Sequence, residues 1–177
     1  PQFFTDVRIA GFDGSTAAPG TVGEIQIKGP NVIPAYWHRA DATAESYAEG
    51  GWFKSGDMGY KDDDGFVFVS DRIKDMIISG GENIYPAEVE QAITELESVG
   101  SVAVIGVPDE KWGEVPRAVV LLREGAQLTE EQLRRYLEGR LARYKIPKSV
   151  VFVDEMPRTA SGKIRKADLR KLSSLQP

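Results

Sequence analysis

Cysteine is absent from this chain of 177 residues, and histidine occurs once. Without thiols there are no disulfides, no thiolate metal site and no cysteine nucleophile, a composition compatible with a reducing cytosol. The lone His38 excludes a multi-histidine metal centre. A Ser-His-Asp hydrolase would have to use it within Trp37-His38-Arg39, a context that reads as a surface loop. No apolar run approaches the roughly 20 residues needed to span a bilayer, and no signal-peptide pattern opens the chain. The net charge of −5 supplies no basic field for nucleic acid and no simple attraction to anionic membranes. What is left reads as a soluble, cytoplasmic protein without a transmembrane segment or a nucleic-acid partner. The first residue is Pro1, not methionine, and residues 2–12 read as the middle of a sheet, so the chain is expected to be a fragment of something longer.

An apolar fraction of 41% supports a real core, and the length suits one domain or one compact domain plus part of another. Val7–Ala10 and Gly23–Ile27 alternate apolar with other residues around a Gly/Ser/Pro-rich turn, which predicts a hairpin with one buried face. Asp41 is expected to cap a short helix through Tyr47, stopped by Gly50-Gly51. Trp52-Phe53-Lys54 then re-enters extended structure and leads to Ser55-Gly56-Asp57. Asp62-Asp63-Asp64-Gly65 is the turn of a second hairpin returning through Phe66–Val69. The aspartates do not make a calcium loop. With Gly65 as the sixth position, Tyr60 falls where the first carboxylate ligand belongs.

The rhythm changes between Asp71 and Pro86. A charged tetrad (Asp71, Arg72, Lys74, Asp75) leads into the apolar run Met76–Ile78, then Gly80-Gly81, then Tyr85-Pro86 at a helix entry. The two glycines permit either a positive-φ turn between strand and helix or the close passage of a ligand along bare backbone. Val89, Ala92, Ile93 and Leu96 then fall at helical spacing. Ser101–Val107 and Arg117–Leu122 read as strands joined by a loop holding Pro108, Trp112, Gly113 and Pro116. Thr129 with Gln132 forms a capping box for a helix with Leu133, Tyr136, Leu137 and Leu141 on one face, and Val150–Val153 is a last strand. The order from Ile73 onward is β-α-β-β-α-β, an α+β domain of about a hundred residues. The tail Pro157–Lys166 places Lys163 in a Thr/Ser/Gly-rich loop where its ammonium could reach a phosphate or carboxylate. The loop lacks the earlier glycine and following Ser/Thr of a P-loop, so it reads as a solvated basic loop unsuited to cradling a nucleotide alone.

Taken together, Ser55-Gly56-Asp57, Asp71–Asp75, Ser79–Pro86 and Thr159–Ile164 resemble, in order and spacing, the last core motifs of the adenylate-forming superfamily. The resemblance covers essentially the whole chain and is strongest to fatty acyl-CoA synthetases, particularly bacterial long-chain and medium-chain acyl-CoA ligases. It implies an ATP-dependent enzyme that converts a carboxylic acid, with Mg²⁺, to an acyl-adenylate and passes the acyl group to CoA, its small C-terminal domain rotating between the half-reactions. On that resemblance Asp57 would bind the ribose hydroxyls, Arg72 would help hold the nucleotide, and Lys74 would be the hinge. Lys163 would be the adenylation lysine. Gly80 and Gly81 would line the pantetheine tunnel, and Trp112 would either pack against CoA or serve as a partly buried loop aromatic.

The resemblance also divides the chain. Residues 1–72 would be the terminal β subdomain of the large domain and residues 73–177 the mobile C-terminal domain, whose partner is the missing N-terminal domain of a longer parent. The phosphate loop, the adenine site, the Mg²⁺-coordinating glutamate and the acyl pocket would all precede residue 1. Two alternatives stay open: a fatty acyl-AMP ligase or an adenylation module that loads a carrier protein, and an α+β binding module with no catalysis. Peripheral membrane association of the parent is likewise open.

Overall fold

The computed structural model describes residues 4–173, so the first two residues of the stretch read as sheet, together with Pro1, lie outside it. The chain divides into two compact units, residues 1–74 and 75–177.

The first unit is an antiparallel sheet. Strands β1 (Asp6–Ala10) and β2 (Gly23–Lys28) pair across the expected hairpin, Val7 opposite Ile27 and Ile9 opposite Ile25. Strand β4 (Trp52–Lys61) follows β2 in the sheet, and its other edge takes β3 (Tyr47–Ala48) and β5 (Val67–Arg72) along successive lengths. Alternation places Ile9 and Ile25 on one face, where they are buried, and Met58 and Ala10 are buried too. Helix α1 covers Ala40–Glu45, not Asp41–Tyr47. Its N-cap is Arg39, and Asp41 makes no cap bond. The carboxylate turns outward to Arg39 at 3.1 Å because it sits inside the first turn, not before it. Ser46 ends the helix. Gly50 and Gly51 instead turn the β3–β4 hairpin, and Tyr47 is a strand residue.

The second unit is a mixed sheet covered on both faces. Its strands are β6 (Ile77–Ser79), β7 (Glu82–Ile84), β8 (Val99–Asp109), β9 (Gly113–Leu122) and β10 (Ser149–Phe152). β10 runs parallel to β9 and the other pairs are antiparallel. Helices α2 (Pro86–Thr94), α3 (Glu130–Leu137) and α4 (Lys166–Ser173) complete the α+β architecture read from the sequence. Period-2 alternation along β8 sends Val102 and Val104 to one face, where Val89 and Ile93 of α2 and Leu133 and Leu137 of α3 meet them. Ala103, Ile105 and Val107 go to the other face, where Leu169 of α4 is buried. Thr129 and Gln132 form the capping box, each side chain bonding the other's backbone amide.

Three expectations change here. Gly80-Gly81 is the tip of the β6–β7 hairpin and not a strand-to-helix connection, since three residues pair on each side. Pro108 and Pro116 lie within the β8–β9 ladder, in which Pro108 faces Glu114 and Gly106 faces Pro116, so the loop shrinks to the residues around Trp112. α4 was not anticipated, because Leu169 and Leu172, three apart among four charged residues, give only a single helical spacing.

Candidate functional site

In the first unit the candidate residues gather where β4 meets β5. The ladder sets Asp57 opposite Arg72, and their side chains pair at 3.0 Å from Oδ1 to Nη1. Arg72 Nη1 also donates to the Ser55 carbonyl at 3.3 Å. Ser55 Oγ ties this corner down, donating to the Ile25 carbonyl at 2.6 Å and accepting from Asp57 N at 3.0 Å. The ion pair is half exposed, so its contribution to stability is only about 0–1 kcal/mol. Its geometry leaves one carboxylate oxygen of Asp57 for an external donor. Arg72 and Lys74 line an open cleft of about 610 Å³ with Glu24, Tyr36 and Lys54, whereas Asp57 faces a more apolar cleft with Ile25, Ile27 and Phe66. Asp57 and Arg72 are thus joined, and Lys74, in a 3₁₀ turn over Ile73–Asp75, shares the cleft with Arg72 only.

In the second unit Gly80, Gly81 and Trp112, distant in sequence, form one patch. Ser79 pairs with Gly113, and Gly80 N donates to the Trp112 carbonyl at 2.9 Å. The indole lies so close over Gly80 (φ 59°) that a Cβ there would stand 2.5 Å from Cε3. Gly81 (φ 89°) has open space where its side chain would be. Only glycine satisfies both demands at position 80: left-handed backbone and room for the ring. Asp109 Oδ1 accepts from Lys111 N and Trp112 N, each at 2.9 Å, which fixes the turn. Lys111 Nζ sits 4.8 Å from the centre of the indole, and Trp112 as a residue remains 43% exposed. Lys111 was not singled out from the sequence; its adjacency to Trp112 was the available signal.

Lys163 closes a tight loop. Thr159 N donates to the Lys163 carbonyl at 2.8 Å, Lys163 N to Thr159 Oγ1 at 3.1 Å and Gly162 N to the Thr159 carbonyl at 2.9 Å. These amides are consumed within the loop. Arg158 braces it, donating to the Gly162 carbonyl at 2.8 Å and to Ser101 Oγ at 3.1 Å. The Lys163 side chain is exposed, and its ammonium meets no acceptor among the described residues.

The last two places lie at opposite ends of one strand. Arg158 anchors the lysine loop to Ser101 near the start of β8, and the Trp112 turn hangs from Asp109 at its end, a separation on the order of 25 Å at about 3.3 Å per residue. Among the described residues no group of three or more Asp, Glu, His or Cys is placed to hold a metal ion. No described helix is long and apolar enough to cross a membrane.

The chain is 54% identical over 171 residues to a feruloyl-CoA synthase of an Amycolatopsis species, covering 97% of this chain and 35% of that protein. It is 48% identical over 168 residues to a long-chain-fatty-acid--CoA ligase of Mycobacterium tuberculosis, covering 95% of this chain and 33% of that one. Among solved structures, ATP-bound MatB from Rhodopseudomonas palustris superposes with a TM-score of 0.90 at 39% identity, covering 96% of this chain and 34% of that one. The chain therefore spans about a third of the length of these relatives, and their names do not single out a fatty acid. Residues 88–163, which run from the first turn of α2 to Lys163, match the AMP-binding enzyme C-terminal domain.

Proposed function

We propose that this chain is the C-terminal portion of an ATP-dependent acyl-CoA ligase: residues 1–74 close the large adenylate-forming domain, and residues 75–177 are the mobile domain that serves two half-reactions in turn. The supporting observation is the position of Lys163 and of the Gly80-Gly81-Trp112 patch at opposite ends of β8, too far apart to act on one bound acid at the same moment. In the first half-reaction a carboxylate oxygen of the acid attacks the α-phosphorus of ATP. An acyl-phosphate bond forms, the bond to the β-phosphate breaks and pyrophosphate leaves. The unpaired ammonium of Lys163 neutralises the charge that shifts between carboxylate and phosphate. Asp57, held by Arg72, accepts hydrogen bonds from the ribose hydroxyls. In the second half-reaction the sulfur of CoA attacks the acyl carbon, AMP departs with its oxygen and the thiol proton passes to solvent. The pantetheine arm runs over the bare backbone of Gly81 beside the exposed indole of Trp112. Lys74 is the residue whose torsions change as the domain turns.

Mg²⁺ would accompany ATP, and its ligands are assigned to the longer parent chain, as are the adenine site and the acyl pocket. The acid is an aryl or fatty carboxylic acid: relatives at 54% and 48% identity are named for ferulate and for long-chain fatty acids. The test is mass spectrometry of the products when the full-length protein meets ATP, Mg²⁺, CoA and a mixture of aromatic, short and long acids. Acyl-CoA with AMP is expected and reveals the acid. Adenylate accumulating without thioester would move the acceptor to a carrier protein and take Gly80, Gly81 and Trp112 out of a CoA site. The 177-residue chain alone is expected to release no pyrophosphate, and turnover by it would overturn this division of labour.

A further inference from the structure

Helix α4 begins at Lys166, directly after the loop that carries Lys163, and two charged contacts one turn apart hold it. Lys166 Nζ lies 2.8 Å from Glu90 Oε1, the same oxygen that accepts Val104 N at 2.7 Å. Val104 belongs to the edge strand β8, so Glu90 satisfies an amide that the sheet leaves unpaired and joins α2 to α4 around that edge. Four residues on, and so on the same helix face, Arg170 Nη2 donates to Asp75 Oδ1 at 2.9 Å. Between them Leu169 is 2% exposed in the core beneath. The Asp75 side chain is only 14% exposed, and Asp75 is the residue that follows Lys74.

We infer that Arg170 is a positioning residue for Lys163, with Asp75 as its anchor: their ion pair fastens the helix behind the lysine loop to the residue behind the hinge. This rests on the proposed roles of Lys163 and Lys74. A turn at Lys74 then reaches the lysine loop through a short path of Asp75, Arg170, α4 and Ile164, with little slack for the ammonium. The other end of β8 does not depend on the pair, because its turn is set by Asp109 and by the pairing of Ser79 with Gly113. Loss of the pair therefore separates the half-reactions instead of weakening both.

The experiment uses the full-length protein and measures pyrophosphate release from ATP and acid, and separately acyl-CoA formation from synthetic acyl-adenylate and CoA. With Arg170→Ala the first rate is expected to fall about tenfold to a hundredfold, the effect of a misplaced catalytic group, while the second stays within about threefold. Arg170→Lys should recover part of the loss, and the exchange of Asp75→Arg with Arg170→Asp most of it. Equal losses in both reactions, or no loss in the first, would overturn the inference. If Arg170→Ala does not fold, Asp75→Asn, which keeps shape and one acceptor, is read in the same two assays. A wild-type protein that makes no adenylate would refute the ligase reading and this inference with it. Wild-type activity with no separation refutes the inference alone.

Discussion

The two ends of β8 solve opposite problems. Near Ser101 the structure presents a charge: an exposed ammonium on a loop whose own backbone groups are already bonded to one another. Near Asp109 it presents a shape: two glycines at positive φ, one of them beneath an indole and the other open to solvent. A side chain at the first end can be removed without touching the packing. At the second end the proposed CoA contact and the packing share the same atoms, so a substitution there should change both. The difference means that the two ends of one strand should tolerate substitution unequally.

The largest effect is expected at the charged end. Lys163→Ala in the full-length protein should lower pyrophosphate release by about a hundredfold to a thousandfold, the usual effect of deleting a group aimed at developing charge. Thioester formation from supplied acyl-adenylate should persist, and because the side chain is exposed and unpaired, unfolding should shift by no more than about 0.5 kcal/mol. Equal loss of both half-reactions would erase the distinction between the ends.

At the other end the two glycines should separate from each other. Gly80→Ala places a methyl 2.5 Å from the indole and in left-handed backbone, so denaturant unfolding should show about 1–2 kcal/mol of backbone strain plus about 1–3 kcal/mol of overpacking. Gly81→Ala has the same backbone problem and no clash, so it should lose about 1–2 kcal/mol only. Equal destabilisation would mean that the ring moves aside freely. Adding Trp112→Ala to Gly80→Ala removes the obstacle, and the pair should be less harmful than the sum by about 0.5–3 kcal/mol. Trp112→Ala alone should raise the KM for CoA and leave adenylation unchanged, a smaller effect read from the two half-reactions.

The contrast also marks what the residues announced and what they hid. Gly80, Gly81 and Trp112 were legible only through the resemblance of their motifs, and only the structure shows that Gly80 and Trp112 touch. The expected helix entry at Pro86 and the capping box at Thr129 follow from local chemistry and hold in the structure. Asp41 misled because a carboxylate suits the cap and the first turn equally, and nothing local decides between them. β3, β7 and α4 are short, with too few apolar residues to generate a period; what stabilises them is the neighbouring strand or the sheet face on which they lie. The pairing of Arg170 with Asp75 across 95 residues has no sequence signal at all.

The smallest effect lies at the base of the hairpin that carries the glycines. Tyr85 follows β7 and precedes α2, half-buried, and burial raises its phenol above the ordinary value of 10.0, partly offset by a hydrogen bond with Asn83 and the charge of Lys145. The fold thus favours the neutral ring. Its contribution is fully present below the unfolded value and is lost as pH rises through the higher folded one. Wild-type stability should therefore fall on the alkaline side of about pH 10, and Tyr85→Phe, with nothing to ionise there, should fall less steeply. Denaturant unfolding at about pH 8 and about pH 11 checks this, since the other tyrosines are common to both proteins and cancel in the difference. Parallel slopes would mean that water reaches the ring, and that Ile77 and Ile84 alone bury the base of the hairpin.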